Sequence, residues 1–173
     1  RLAADGETLV TQFHNGAAHL VRLGATNAVT LMGTHLNTRF GPGGRWLGLA
    51  TEQMLALFER NETNRYTQRH RLPLAAGAGA PATFAFAPGG QLVAVVFNRF
   101  DVRLYEPDSG RLLVALSAPF PAQISGVNGL AFSADGRELF AAKQDGEIVA
   151  WDLPGLRQGL ARLGLDWPDN PGD

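Results

Sequence analysis

The side chains able to do chemistry are few, and their spacing sends most of them to turns. Four histidines, His14, His19, His35 and His70, stand apart from one another. No two of them form the His-Glu-x-x-His spacing that sets two imidazoles on one helix face beside a general base. Each reads as a surface or structural side chain, and no metal site is expected. Ser109, Ser117, Ser125 and Ser133 lack the G-x-S-x-G elbow that exposes a nucleophile. Ser133 instead precedes an Asp-Gly pair, where a hydroxyl caps a turn. Gly41-Pro42-Gly43-Gly44 is glycine-rich but lacks the lysine that a phosphate loop requires. Asp135, Asp145 and Asp152 fall in or beside turns, whereas acid–base work needs two carboxylates facing each other. Arg60, Arg65, Arg69, His70 and Arg71, with Tyr66 among them, are the group that could grip phosphates or stack on bases. Glu59 and Glu62 dilute that charge in a chain of net charge −1. A solvated strand is the better reading, and neither nucleic acid, a cofactor nor an enzymatic activity is expected.

Composition frames what must position these groups. A chain of 173 residues with 45% apolar and 18% charged residues has enough apolar material for one core. Lys143 is the only lysine, against fourteen arginines, and there is no cysteine. Disulfides, thiol nucleophiles and thiolate metal sites are thereby excluded, which suits a reducing compartment. No apolar run approaches the ~18 residues of a spanning helix, and no basic-then-apolar opening follows Arg1. A cytoplasmic protein without a membrane span is expected.

The strongest signal is a repeat. Residues 131–152, AFSADGRELFAAKQDGEIVAWD, read as three short strands. Asp135-Gly136 and Asp145-Gly146 join them as two-residue turns. Taking the first turn glycine as marker, Gly6, Gly44, Gly90 and Gly136 stand 38, 46 and 46 residues apart. Four residues before each marker is Leu2, Phe40, Phe86 or Phe132; three after is Leu9, Leu47, Val93 or Leu139. Further along, Val21, Phe58, Tyr105 and Trp151 form another column, followed by Arg22, Glu59, Glu106 and Asp152. Such sheets are apolar on both faces and can be buried only by stacking. Phe40, Phe86, Phe132, Leu47, Val93 and Leu139 are therefore expected between units, at roughly 1.5–3 kcal/mol each. After Asp152 the period changes: Leu153, Leu156, Leu160 and Leu163 recur at helical spacing, with Asp152 as N-cap and Pro154 in the first turn.

Turn, strand, turn, strand and a terminal Trp-Asp at this period resemble the WD-repeat β-propeller family. The resemblance runs from Leu2 to Asp152 and is fullest in the last unit. The first unit has Val21-Arg22 in place of the aromatic and the acid, and the family's Gly-His pair is absent ahead of the innermost strands. Divergent bacterial members look like this. The resemblance implies an all-β fold: propeller blades of antiparallel four-stranded sheets, about three and a half WD-type repeats, then a short C-terminal helix. Units are expected at 1–34, 35–80, 81–126 and 127–152, the helix at 153–166 and a flexible tail at 167–173. Closed propellers have at least ~4 blades, and the first unit starts inside a blade. The expectation is a piece of a larger propeller whose remainder lies upstream of Arg1. Leu130, Phe140 and Trp151, with Leu9 and Val21, should then be less covered than their counterparts in the third unit.

In this family the usual contact face gathers the turns between second and third strands and the loops between blades. The resemblance thus implies a non-catalytic protein–protein interaction scaffold with a protein or peptide partner. Its contact residues would be His14, Asn15, Glu52, Gln53, Asn98, Arg99, Phe100, Gln144 and Asp145 from the turns. His35, Asn37, Phe120 and Gln123 would join them from the connectors. Phe100 and Phe120 are candidate apolar anchors. Bacterial members that carry an N-terminal Ser/Thr kinase have similar tails, so the alternative is the C-terminal regulatory or sensor segment of a larger kinase. Kinase motifs encoded ahead of Arg1 would distinguish it. A propeller hydrolase would instead need histidines or carboxylates gathered at the channel mouth.

Overall fold

Short runs of β-branched, aromatic and leucine residues, punctuated by Gly, Asp and Pro, build strands along the chain. The computed structural model describes residues 3, 6–12, 18–22, 28–32, 37–51, 53–73, 83–97, 101–117, 124 and 129–166. Within them lie four antiparallel sheets. The first holds β1 (Thr8–Gln12), β2 (Ala18–Arg22) and β3 (Ala28–Met32). The second holds β4 (Asn37–Phe40), β5 (Trp46–Ala50), β6 (Met54–Arg60) and β7 (Tyr66–Pro73). The third holds β8 (Phe84–Phe86), β9 (Val93–Phe97), β10 (Asp101–Tyr105) and β11 (Leu112–Ser117). The fourth holds β12 (Leu130–Phe132), β13 (Glu138–Ala142) and β14 (Ile148–Asp152). Each is a meander, with sequence neighbours paired in space.

The sequence columns are cross-strand lines. Leu9 faces Val21, Leu47 faces Phe58, Val93 faces Tyr105 and Leu139 faces Trp151. On the other side Phe40, Phe86 and Phe132 are the register partners of Leu47, Val93 and Leu139. Directly opposed residues share a face, so each column set forms one apolar line across its sheet.

One hydrogen-bond pattern closes the marker turn in all four units. The N–H groups of Ala3, Gly41, Ala87 and Ser133 donate across the hairpin to Thr8, Trp46, Leu92 and Glu138 carbonyls (2.8, 2.8, 2.9 and 2.9 Å). The marker glycines donate three residues back, to the carbonyls of Ala3, Gly41, Ala87 and Ser133 (3.1, 3.1, 2.9 and 3.0 Å). Their φ values of 68°, 70°, 78° and 72° lie in the left-handed region that glycine enters without a Cβ clash. These are longer turns than the expected two-residue ones. Both central residues of an Asp-Gly type I′ turn would need positive φ, yet among described non-glycine residues only Asn64 has one. The aspartate acts through its side chain. Asp135 Oδ1 accepts from the Ser133 hydroxyl (2.6 Å) and the Arg137 N–H (3.1 Å), while the Glu138 N–H donates to Ser133 Oγ (2.9 Å).

The Ser133 hydroxyl, and then the Arg137 N–H, hold the Asp135 carboxyl below its usual range. A depressed folded-state pKa stabilises the fold above about pH 4, and the contribution is lost as pH falls through the folded value. Ser133→Ala or Asp135→Asn should therefore flatten the acid limb of urea midpoint against pH below about pH 4. An acid limb as steep as the parent's in both variants would contradict this role.

Stacking buries the sheets, as the period-2 alternation of β5 shows. Leu47 and Leu49 join Val10, Ala56 and Phe58 in a core between the first and second sheets. Trp46 and Ala50, on the opposite face, join Leu57, Phe84, Val93 and Val95 between the second and third. A third core, with Ala94, Val102, Leu104, Leu130 and Leu139, lies between the third and fourth. The outward faces of the end sheets are barer. Leu9 and Val21 in the first sheet and Phe140 in the fourth are half-buried there, and Trp151, on the inner face of the fourth, is half-buried too, whereas Val93, Ala94 and Tyr105 in the third are buried. Leu130 departs from expectation and is buried, because it faces the third sheet.

A second departure concerns the phenylalanine column. Leu47, Val93 and Leu139 are fully buried, but Phe40, Phe86 and Phe132 are only half-buried. Each phenylalanine is the last residue of its strand.

The helix α1 (Leu153–Arg162) follows β14 directly. Asp152 occupies the N-cap position, yet its side chain makes no capping hydrogen bond, contrary to expectation. Its Oδ2 instead lies over Gly155, 2.4 Å from where a Cβ would stand, above the positive end of the helix dipole. The Leu153 N–H donates to the Arg137 carbonyl (2.9 Å), and Leu153 and Leu156 pack on the core between the third and fourth sheets. The helix closes on a Schellman-type bond from Leu165 N–H to the Leu160 carbonyl (2.9 Å).

Candidate interaction surface

The last residues of β4, β8 and β12 converge on one cavity, so the three innermost strands run the same way. The marker turns lie at that end, and the turns between second and third strands lie at the other. Gln53 occupies the β5–β6 turn, Gln144 and Asp145 the β13–β14 turn, and all three are exposed. Both turns are held locally. Thr51 Oγ1 accepts from the Gln53 and Met54 N–H groups (3.2 Å each), and the Lys143 N–H donates to the Glu147 carbonyl (2.8 Å).

Beneath the β13–β14 turn, the Lys143 side chain is almost wholly buried, at 1% exposure. Its ammonium lies 3.4 Å from Asp145 and bonds Glu147. The Glu147 hydrogen bond leads the interactions that hold Lys143 above the usual lysine range. This turn therefore shows carboxylates to solvent and keeps the cation below. His14, Asn15, His35, Glu52, Asn98, Arg99, Phe100, Phe120 and Gln123 lie outside the described residues. Asn37, expected on a connector, begins β4 and is buried.

At the opposite end the cavity has a volume of about 500 Å³. Phe40, Phe86 and Phe132 line it, one from each of three consecutive sheets, together with Arg39, Ala85 and Ala131. The signal for this cavity was legible as a column. A phenylalanine recurs one residue before the last three marker turns, preceded by arginine once and alanine twice. Reading that column as core missed it, because strand-end position decides exposure as much as residue type. Among the described residues no three of His, Asp and Glu gather as a metal site. None of their helices is long and apolar enough to cross a membrane.

No family model matches the sequence, and no curated protein does. Solved structures do match. The β-propeller domain of Cps50 (Swd1) from Myceliophteria thermophila superposes with a TM-score of 0.69 at 16% identity, over 88% of this chain and 52% of that one. These sheets are propeller blades. The chain spans about half the length of that propeller domain. With 627 matching solved chains, the likeness identifies an architecture, and function resides in sites built upon it.

Most contacts of the arginine-rich segment around the outer strand lie within the second blade. Arg69 Nε pairs with Glu59 (3.1 Å), Arg60 Nη2 donates to the Gly43 carbonyl (3.2 Å) and the Tyr66 hydroxyl donates to the Gly44 carbonyl. His70 Nε2 bonds the Asp108 carbonyl of the next blade (3.0 Å). Arg45 joins the two blades as well, bonding Glu59 of its own (2.8 Å) and Asp108 of the neighbour. The Glu59 hydrogen bond leads in raising the Arg45 pKa. Sequence offered no sign of this clamp, since Arg45 and Asp108 belong to different repeats.

Proposed function

We propose that these blades form a non-catalytic protein–protein interaction scaffold of WD type, completed by further blades of the same polypeptide upstream of Arg1. One observation carries the reading. Stacking brings the exposed turns of the second and fourth blades, with Gln53, Gln144 and Asp145, to one end of a rigid body. Loops set on a rigid scaffold are where binding concentrates. His14, Asn15, His35, Glu52, Asn98, Arg99, Phe100 and Phe120 belong to the same proposed surface, whose partner is a protein or peptide.

A photo-crosslinking amino acid placed at Gln53 or Gln144 should capture one partner from the cells that make the protein. The same group at Thr67, exposed on an outer strand, should capture none of it. Equal capture from Thr67 would overturn the assignment of the surface.

A further inference from the structure

We infer that Phe140, on the outward face of the fourth blade, selects the blade that covers this face. It admits one with glycine or alanine where the second, third and fourth blades have Thr38, Phe84 and Leu130. The inference rests on the further blades proposed above and names the side chain that Phe140 requires of them.

Within the stack, side chains of two repeat positions meet across each interface. Thr38, Phe84 and Leu130 stand six residues before the marker glycines Gly44, Gly90 and Gly136, on innermost strands. Their register partners Leu49, Val95 and Ala141 belong to the cores shared with the preceding blade, so all three face that blade. Across from them, on second strands, are Val10, Gly48 and Ala94. Phe84 lies over Gly48, where a Cβ would stand 2.3 Å from its ring. Leu130 shares a core with Ala94, and buried Thr38 is the counterpart of buried Val10. The sizes run in opposite order. Phenylalanine answers glycine, leucine answers alanine and threonine answers valine, as close packing at one blade spacing demands.

The fourth blade breaks the series. Phe140 takes the place of Val10, Gly48 and Ala94, and Ala150 beside it takes the place of Leu20, Leu57 and Leu104. The bulk of the face has moved one strand inward. Ala131, Phe140 and Ala150 form one register line across it, and Ala142 and Ile148 form the next. Glu138 and Asp152, paired in register, bring charge to one end only. Ala131 and Ala150 are exposed, and Ile148 is 69% exposed. At the matching positions Leu55, Leu57, Val102 and Leu104 are fully buried by the next blade. Continuity with those interfaces makes another sheet of the same kind the occupant. A leucine or phenylalanine set over Phe140 would overpack the interface, whereas glycine or alanine leaves room for the ring.

The test places p-azidophenylalanine at position 140 of the full-length polypeptide, irradiates it and maps the cross-linked peptides by mass spectrometry. The expected product is an intramolecular link to an innermost strand, at or beside the residue six positions before that blade's marker glycine. That residue should be glycine or alanine. Replacing it with leucine should lower the urea midpoint of the full-length protein, and adding Phe140→Ala should recover part of the loss. A large side chain at the linked position, a link to any other element of the polypeptide, or no recovery by Phe140→Ala would overturn the inference and leave the further blades standing. A link only to a separate protein, or no link at all, would overturn both. Should the variant at position 140 fail to fold, the same group in place of exposed Ile148 identifies the covering blade, and the same outcomes decide.

Discussion

Phe84→Ala is expected to destabilise the protein by about 3–5 kcal/mol, the range for deleting a buried aromatic ring. Phe84 is fully buried between the second and third blades and meets Phe86 edge-on at 5.9 Å. Its ring also covers Gly48 so closely that a Cβ there would lie 2.3 Å from Cε2 and 2.7 Å from Cζ. Gly48→Ala alone should therefore cost about 1–3 kcal/mol through overpacking. The two changes share one volume and should not add. In the Phe84→Ala background the Cβ at position 48 fills space the ring has left. The second change should then cost nothing measurable or restore part of the loss. Urea unfolding of the parent, both single variants and the double variant measures this directly. Strictly additive costs would show that the two blades do not meet as described.

The second large effect separates two neighbouring columns. Leu139→Ala should cost about 2–5 kcal/mol, because Leu139 is fully covered between the third and fourth blades. Phe132, its register partner, has the larger side chain but is less completely covered. Phe132→Ala should cost roughly 1–2 kcal/mol, about two-thirds of the value for a fully buried large apolar side chain. Chemical denaturation would reveal the inverted order, leucine above phenylalanine. Costs ranked by side-chain size would mean that the phenylalanine column is core after all.

Much of the fold was legible because local rules and the repeat agreed. The marker glycines could be read from spacing alone, and each proves to sit at positive φ in the same hydrogen-bonded turn. The residues three positions after them prove to be cross-strand partners, fully buried in the last three units. What stayed hidden depends on distances that sequence spacing does not encode. Lys143 stood out only as the single lysine, but its stem is covered by its surroundings while two acids reach it from the surface. Arg45 and Asp108 meet only because two blades stack. The Asp-Gly pairs announced turns correctly but not their length, since an aspartate can bond the backbone through its side chain without adopting positive φ. The cavity was missed because a column of identical residues was equated with burial.

The central claim is a stack of blades in which the second and third are covered on both faces and the first and fourth on one. Amide hydrogen exchange on the 173-residue chain tests it most directly, since protection follows burial and cooperative packing. The account predicts the slowest exchange in β5, β6, β9 and β10. Faster exchange is expected in β1 and β2 at one end and in β14 at the other. Protection of β2 and β14 equal to that of β9 would contradict it, because the outward faces of the end blades would then have to be covered like those in the middle.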